Sequence, residues 1–511
     1  MFKCLFRYVP LVLFVFFACS KDEDLNKMTP PPQAIDIDLG AFTKNFRGFN
    51  LLGKFDINWS NSGFSEEDFI IMQDLGFNFA RLPLDYNTYT KYGDWDTFLE
   101  EEVSEIDRAL AWGKQYGVHI CINLHRAPGY SVNTSAIPPN HQVSLWTNAG
   151  AQEAFVNHWA YFAERYRDED YGDLSFNLVN EPANVDEATY ISVMKKAIDK
   201  IHSINPNRVI FVDALEWARE LMGTLKGERN IIQAIHVYEP FTLTHYKASW
   251  VQGSNSWPEP VWPMVDIPNY LYGPEKPDFQ SPLVLQGNFS GGSEVVVNVH
   301  QVSLRSTLTI KLDDVVIYEK YFVTGPEKGE DWTEIILTQW GYQNISRKDY
   351  TVTLPADGAK LSIENSFGDW MTYNSIVIKS DTGSFSLIPG NTAWGELQGT
   401  YRITGDGNIT DETGSPLLLL GTLNEVLEEA RQEGIPVMIQ EFGVHNQTPH
   451  PVTIRYLSDV VSIFRENELG FALWNLNGSF GIIDSGRDDC DYESYRGHLL
   501  DRALLDVLKG E

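Results

Sequence analysis

Disulfide chemistry has little to work with in this chain. Its 511 residues hold four cysteines, Cys4, Cys19, Cys121 and Cys490, too few for a stapled framework. Positive charge is scarce as well: 39 Lys and Arg stand against 70 Asp and Glu, a formal net charge of −31. Nucleic acid or an anionic membrane surface requires a cationic face, and the chain has no surplus from which to build one. Acidic polysaccharides are disfavoured for the same reason. HExxH, paired CxxC and GxSxG are all missing, which removes the usual footholds for zinc and serine hydrolase chemistry. What is abundant is apolar and aromatic material, 43% and 13% of the residues, including 14 Trp and 23 Tyr. That is enough for a large core and, by length, about two to four domains. Aromatic richness beside strong negative charge suits a neutral, polar, flat-faced partner, although a plain aromatic core would give similar totals.

The N-terminus reads as an address. Lys3 and Arg7 precede an apolar run from Val9 to Ala18, too short to span a bilayer as mature structure, and Cys19 follows. A small residue before Cys19 resembles a bacterial lipobox, in which the cysteine is lipidated. The next residues, "SKDED", resemble the acidic export tag of Bacteroidetes surface lipoproteins. Residues 1–18 are therefore expected to be a signal peptide and 19–39 a lipidated tether stiffened by "TPPPQ". The expected location is the outer membrane, surface exposed, with periplasmic or secreted forms as alternatives. Cys121, inside an apolar run, reads as a small buried hydrophobe.

Eight short apolar runs alternate with helical patterns: 46–53, 77–84, 118–125, 174–181, 208–215, 232–239, 436–443 and 470–477. Val103, Ile106, Leu110 and Gly113 recur at spacings of three and four residues, as do Leu420, Leu423, Leu427 and Ala430. This alternation predicts parallel pairing and an α/β fold, a closed (β/α)₈ barrel. An open doubly wound sheet is the alternative, but no glycine-rich phosphate turn follows the first run. Between runs six and seven the rhythm breaks into strand-like pieces such as "EVVVNVH" and "AKLSIEN", which predict an inserted β-sandwich, placed between strand 6 and helix 6. The expected layout is barrel over 40–270, sandwich over 271–390 and barrel again over 391–511. A sandwich carrying Trp332, Trp340 and Trp370 could be a carbohydrate-binding module or merely structural.

In a parallel barrel the site gathers at the carboxyl ends of the strands. The polar or aromatic residues there are Arg81, His125, Asn180, Glu181, His236, Tyr238, Glu441 and Trp474. A single polar residue at a strand end marks only the start of solvent. Two glutamates on runs four and seven, with His, amide and Trp on others, predict a shared pocket. Paired carboxyls suit cleavage of a glycosidic bond, one protonating the leaving oxygen and the other meeting positive charge at the sugar carbon.

The stretches "ARLPLDY", "NLHRAPGY", "NLVNEP", "IHVYEP", "IQEFGVH" and "ALWNLNGSFGIID" together resemble glycoside hydrolase family 5, the cellulase family, whose members are retaining (β/α)₈ enzymes. The resemblance covers both barrel segments and none of the sandwich. It implies that Glu181 is the general acid/base and Glu441 the nucleophile. Asn180 would bond the sugar 2-hydroxyl, and Arg81 and Tyr238 would orient Glu441. His125 and His236 would line the cleft, with Trp474 as a stacking floor. An Arg beside Glu441 would favour its charge, and burial of Glu181 would keep it protonated. Neither cofactor nor metal is implied. Arg126 and Tyr130 depart from the pattern of exo-acting members that share the Ala-Pro-Gly turn.

Trp250, Trp257 and Trp262, after run six, could wall a sugar cleft or pack against the inserted domain. "GFNLLGKF" mimics a phosphate loop but has Phe55 where Ser or Thr is needed. "DGNITDE" reads as a turn rather than a calcium loop, and "DSGRDDCDY" as a solvated acidic loop. The expected activity is retaining hydrolysis of a neutral β-linked glucan, cellulose-like first. Mannan, xyloglucan or β-1,3-glucan, a transglycosylase, and a non-catalytic glycan-binding protein are the alternatives.

Overall fold

The computed structural model describes residues 31–133, 142–381, 383–404, 409–415, 417–420 and 423–510; the signal segment and Cys19 lie outside the described residues. Eight strands form its centre: β1 (Arg47–Asn50), β2 (Phe79–Asp85), β3 (His119–Ala127), β4 (Leu174–Asn177), β5 (Ile210–Asp213), β6 (Ile231–Val237), β7 (Val437–Phe442) and β8 (Phe471–Leu473). Each pairs in parallel with the next, and β8 pairs with β1, so the ring closes. The expected barrel is borne out. Its strands are buried on both faces, which is why their sequences read as nearly continuous apolar runs.

Inside the barrel, Phe79, Cys121, Phe211, Ile232, Met438 and Ala472 form one cluster, with Phe42 and Phe46 packed against it. Both Cys121 and Cys490 are free; burial pushes the Cys121 thiol up to about 12. A larger cluster lies between strands and helices, where Ile122, Phe176 and Val212 belong with Trp159, Ile198 and Val460.

The longer helices among the described residues are α1 (Glu66–Leu75), α2 (Glu100–Tyr116), α3 (Ala149–Arg165), α4 (Glu187–Ile204), α5 (Leu423–Glu433), α6 (His450–Glu466) and α7 (Arg502–Lys509). In α2 three glutamates occupy the first turn, where the helix dipole favours negative charge, and Val103, Ile106, Leu110 and Gly113 are buried. Gly117, at φ 69°, ends it in the left-handed conformation glycine tolerates. Leu423, Leu427 and Ala430 form the buried face of α5, while Leu420 is buried ahead of that helix. Among the described residues no full helix joins β5 to β6. Glu216, Trp217 and Ala218 all have positive φ, which a right-handed helix cannot continue through.

Two further sheets lie between β6 and α5. One runs in the order 315–323, 305–312, 358–368, 283–289, 400–403, 409–410; the other is built on 341–353, 294–303 and 370–380. Their facing sides share a core that includes Leu285, Val297, Ile310, Ile363 and Tyr373. Thr400–Ile403 pairs in parallel with Leu283–Phe289, so the sheets reach beyond residue 390, the edge suggested by the sequence; a strand this short gives little periodic signal. Val265–Pro268, where the chain enters this region, pairs in parallel with Pro389–Asn391. Of the three tryptophans noted in the sequence, Trp332 and Trp370 are buried and Trp340 is exposed; a fourth, Trp394, between 389–391 and 400–403, is exposed as well.

Candidate active site

At the carboxyl ends of the strands the inward positions turn from apolar to polar. Asn50 of β1, Arg81 of β2, Asn177 of β4 and Asp213 of β5 are fully buried. Arg81 is the hub. Its Nε donates to Asn177 Oδ1 (2.9 Å), Nη1 to Asn50 Oδ1 (3.0 Å) and to Glu441 Oε1, and Nη2 to Asn180 Oδ1 (2.8 Å). Burial opposes its charge, but Glu441 and Asp213 outweigh that, so the guanidinium is held above its ordinary value.

Strict alternation along β7 from Met438, which faces the barrel interior, would place Gln440 inside and turn Glu441 away. The register of β7 against β6 slips between Ile439 and Glu441, and the extra residue sets Glu441 beside His236. Glu441 Oε2 accepts from Tyr238 Oη at 3.2 Å and lies 3.6 Å from His236 Nδ1. Burial pushes the Glu441 carboxyl up to about 7, against the pull of His236 and Arg81 toward its charged form.

Glu181 follows β4 with its backbone in the left-handed region, φ 49°. Its N–H donates to Asp213 Oδ2 (2.8 Å), and its Oε1 pairs with His236 Nδ1 (2.8 Å). On its other side, His236 Nε2 faces Asp213 Oδ2 at 3.5 Å. Burial lowers His236, yet Glu441, Asp213 and Glu181 together raise it overall, so the imidazole is biased toward its charged form. Single ligand-capable atoms of Glu181, His236 and Glu441 all lie within 4.8 Å of one another.

The cleft above this cluster has a volume of about 1010 Å³, and His125, Glu181, His236, Tyr238, Glu441 and Trp474 line it. Arg81 and Asn180 lie beneath, joined to it through their hydrogen bonds. His125 is buried, its ring 5.5 Å from Trp474; burial, then Arg126 and Arg81, lower it well below its ordinary value, so it is neutral. His125 Nδ1 and Asn180 Nδ2 have no protein partner among the described residues.

One expectation is reversed. The more enclosed carboxyl is Glu441, 2% exposed, whereas Glu181 is partly open, because Glu441 is set within the barrel by the slip in β7 and Glu181 stands on a turn beyond β4.

Residues 37–263 match the family profile described as cellulase (glycosyl hydrolase family 5). Over that stretch the chain is similar to glycoside hydrolase family 5. It is 28% identical to Endoglucanase C of Acetivibrio thermocellus over 193 residues, 37% of this chain and 54% of that protein. Endoglucanase 3 of Fibrobacter succinogenes is 25% identical over 334 residues, 57% of this chain and 48% of that one. The chain spans about half the length of these curated relatives. A crystal structure of a glycoside hydrolase is 25% identical, with a TM-score of 0.56, and the match covers 91% of this chain and 98% of that one.

The barrel brings in residues that strand-end reasoning did not collect. Asp213 is the last residue of β5 but sits inside run five, followed by Ala214 and Leu215, so it was not collected as a run end. Trp59, Trp217 and Phe480 line the cleft from loops, where no periodicity marks them. The tryptophans after run six divide: Trp250 lines the cleft, while Trp262 is buried, its Nε1 donating to Asp459 Oδ2 (2.6 Å) on α6. Lys54, the lysine of the apparent phosphate loop, is buried in an ion pair with Glu102. Asp411 Oδ1 accepts the N–H groups of Thr413 and Ser415, each at 2.8 Å, as a turn does; residues 405–408 lie outside the described residues.

Two clusters among the described residues have the donor types for a metal ion: Glu181–His236–Glu441, and His450–Cys490–Asp501. In the first, the Arg81 guanidinium already supplies positive charge to Glu441. In the second, Asp501 accepts from Leu504 N–H at the start of α7 and pairs with His450.

Proposed function

We propose that the cleft hydrolyses a neutral β-linked glucan with retention of configuration at the sugar carbon. The observation that carries this is the carboxylate pair, with oxygens of Glu181 and Glu441 within 4.8 Å. Retaining glycosidases place the two groups about 5–5.5 Å apart, whereas inverting ones leave roughly 6.5–9.5 Å for a water. In this reading a Glu441 oxygen attacks the sugar carbon as the bond to the leaving oxygen breaks, and Glu181 gives that oxygen its proton. Water then donates a proton to Glu181 while its oxygen displaces Glu441, restoring both groups. Arg81 and Tyr238 orient and charge-stabilise Glu441, His236 bonds Glu181, and the free Asn180 amide N–H is available to a sugar hydroxyl.

A neutral substrate is supported by the fate of the cations. Arg126 is paired with Asp56, Arg219 with Glu239 and Arg81 with Glu441, so among the described residues no arginine at the cleft is unmatched and available to a uronate. Trp59 follows β1 and Trp217 follows β5, half a turn apart in a ring of eight. They are 68% and 39% exposed, so aromatic surface is available on both sides of the carboxylates, as internal cleavage of a chain requires. That the chain is similar to endoglucanases agrees with this reading. The test is hydrolysis over a panel of neutral polysaccharides (cellulosic, mixed-linkage, mannan, xyloglucan and β-1,3-glucan), with the first-formed anomer read by NMR. Retention on a β-glucan supports the proposal; inversion, or binding without turnover, ends it.

We further propose that Cys19 carries a lipid anchor and the tether holds the barrel at the cell surface, supported by "CSKDED" after the apolar run. For carbohydrate contact by the inserted sandwich, Trp340 and Trp394 are the exposed tryptophans.

A further inference from the structure

Glu181 is a non-glycine residue in the left-handed region, a conformation that costs on the order of 1–3 kcal/mol and persists where surroundings over-determine it. The backbone around it is gripped on every side. Glu181 N–H goes to Asp213, Pro182 C=O accepts from Trp217 N–H (3.2 Å), and the Tyr130 hydroxyl does two things at once. It donates to Glu181 C=O at 2.5 Å and accepts from Ala183 N–H at 3.0 Å.

Tyr130 is itself fixed. It pairs with Ala127 across a short antiparallel hairpin whose turn contains Gly129, at φ 77°. A side chain at Gly129 would meet Ala151 Cβ at 2.8 Å and Leu145 N at 2.9 Å, so the hairpin is clamped against α3 and the loop before it. Trp146 packs on the Tyr130 ring at 4.8 Å and also meets Tyr190, whose hydroxyl donates to Asp213 C=O (3.0 Å). One packed chain thus links Tyr130 with Asp213, the two groups that hold the Glu181 turn. Tyr130 does not line the cleft, so it has no place among the substrate contacts.

We propose that Tyr130 is the positioning residue for the proton-donating carboxyl: its hydroxyl locks the left-handed turn at Glu181 and so aims that side chain at the leaving oxygen. The inference rests on the reading of Glu181 as acid/base. Misplacement of a reacting group by about 1 Å can cost on the order of a hundredfold, and positioned proton transfer contributes roughly 10²–10⁴.

The test is Tyr130→Phe in the full chain, which keeps the ring packed on Trp146 and removes only the hydroxyl. kcat/KM is measured for two aryl β-cellobiosides, one with a poor phenol leaving group that needs the proton and one with dinitrophenol, which leaves without it. The expected result is a loss of at least about tenfold on the poor leaving group and less than about twofold on dinitrophenol. A parallel loss on both, whether from unfolding or from a displaced Glu441, overturns the proposal, as does no loss on either. Wild-type protein that turns over neither glycoside would instead sink the hydrolase reading beneath it.

Discussion

Asp213 Oδ2 accepts the backbone N–H of Glu181 at 2.8 Å, so a carboxylate from the fifth strand sets the stance of one that follows the fourth. Asp213 also accepts from Asn177 Nδ2 at 2.7 Å, and Asn177 accepts from Arg81. Through those amides the acid/base candidate and the nucleophile candidate share one buried framework. Its charges are interleaved, with Arg81 and His236 set among Glu181, Asp213 and Glu441.

Glu181→Gln and Glu441→Gln are each expected to lower glucan hydrolysis by orders of magnitude, because one removes proton transfer and the other the nucleophile. Circular dichroism should report a folded chain in both. Reducing-sugar release near the wild-type rate from either variant would show that the roles are misplaced.

Activity should fall as pH drops through about 7. Glu441 attacks only as a carboxylate, and burial places its carboxyl at about 7 against an ordinary 4.5. kcat/KM is expected to decline below that value, approaching tenfold per pH unit. The stability contribution has the opposite sense. A raised carboxyl lets the folded chain hold a proton that the unfolded chain releases near 4.5, so this contribution is fully present below 4.5 and is lost as pH rises through about 7. His236, also raised, acts in the same direction. Rate profiles and melting curves taken over one pH series check both signs.

Arg81→Met should be costly for stability as well as rate. It leaves Glu441 buried without its hydrogen-bonded cation and strips Asn50, Asn177 and Asn180 of a donor. Breaking a buried pair in this way costs about 3–5 kcal/mol, measurable by denaturant titration. Without the guanidinium Glu441 should rise further, shifting the acid limb of any residual activity to higher pH. Arg81→Lys should not restore the wild type, since one ammonium cannot match a planar fork with several fixed acceptors.

Cys19→Ala should move the protein from the membrane fraction to the soluble one, and intact cells carrying the wild-type chain should lose it to added protease. Retention of the variant with membranes would remove lipidation as the anchor.

The sequence by itself determined the barrel and most of the residues that gather at the candidate site. Eight doubly buried strands must be apolar along nearly their whole length, and a polar residue that ends such a run is visible in one dimension. Glu181, His236 and Glu441 were legible for that reason, as was the strand-rich stretch between β6 and α5 that holds two extra sheets. Which carboxyl is enclosed was decided only by the tertiary structure. A register slip in β7 turns Glu441 inward, and a left-handed residue after β4 swings Glu181 outward, and neither leaves a mark on hydrophobic periodicity. The Tyr130 grip on Glu181, across 51 positions of chain, exists only because the closed ring brings the ends of β3 and β4 side by side. Local sequence sets what each strand buries; closure of the ring sets which ends meet.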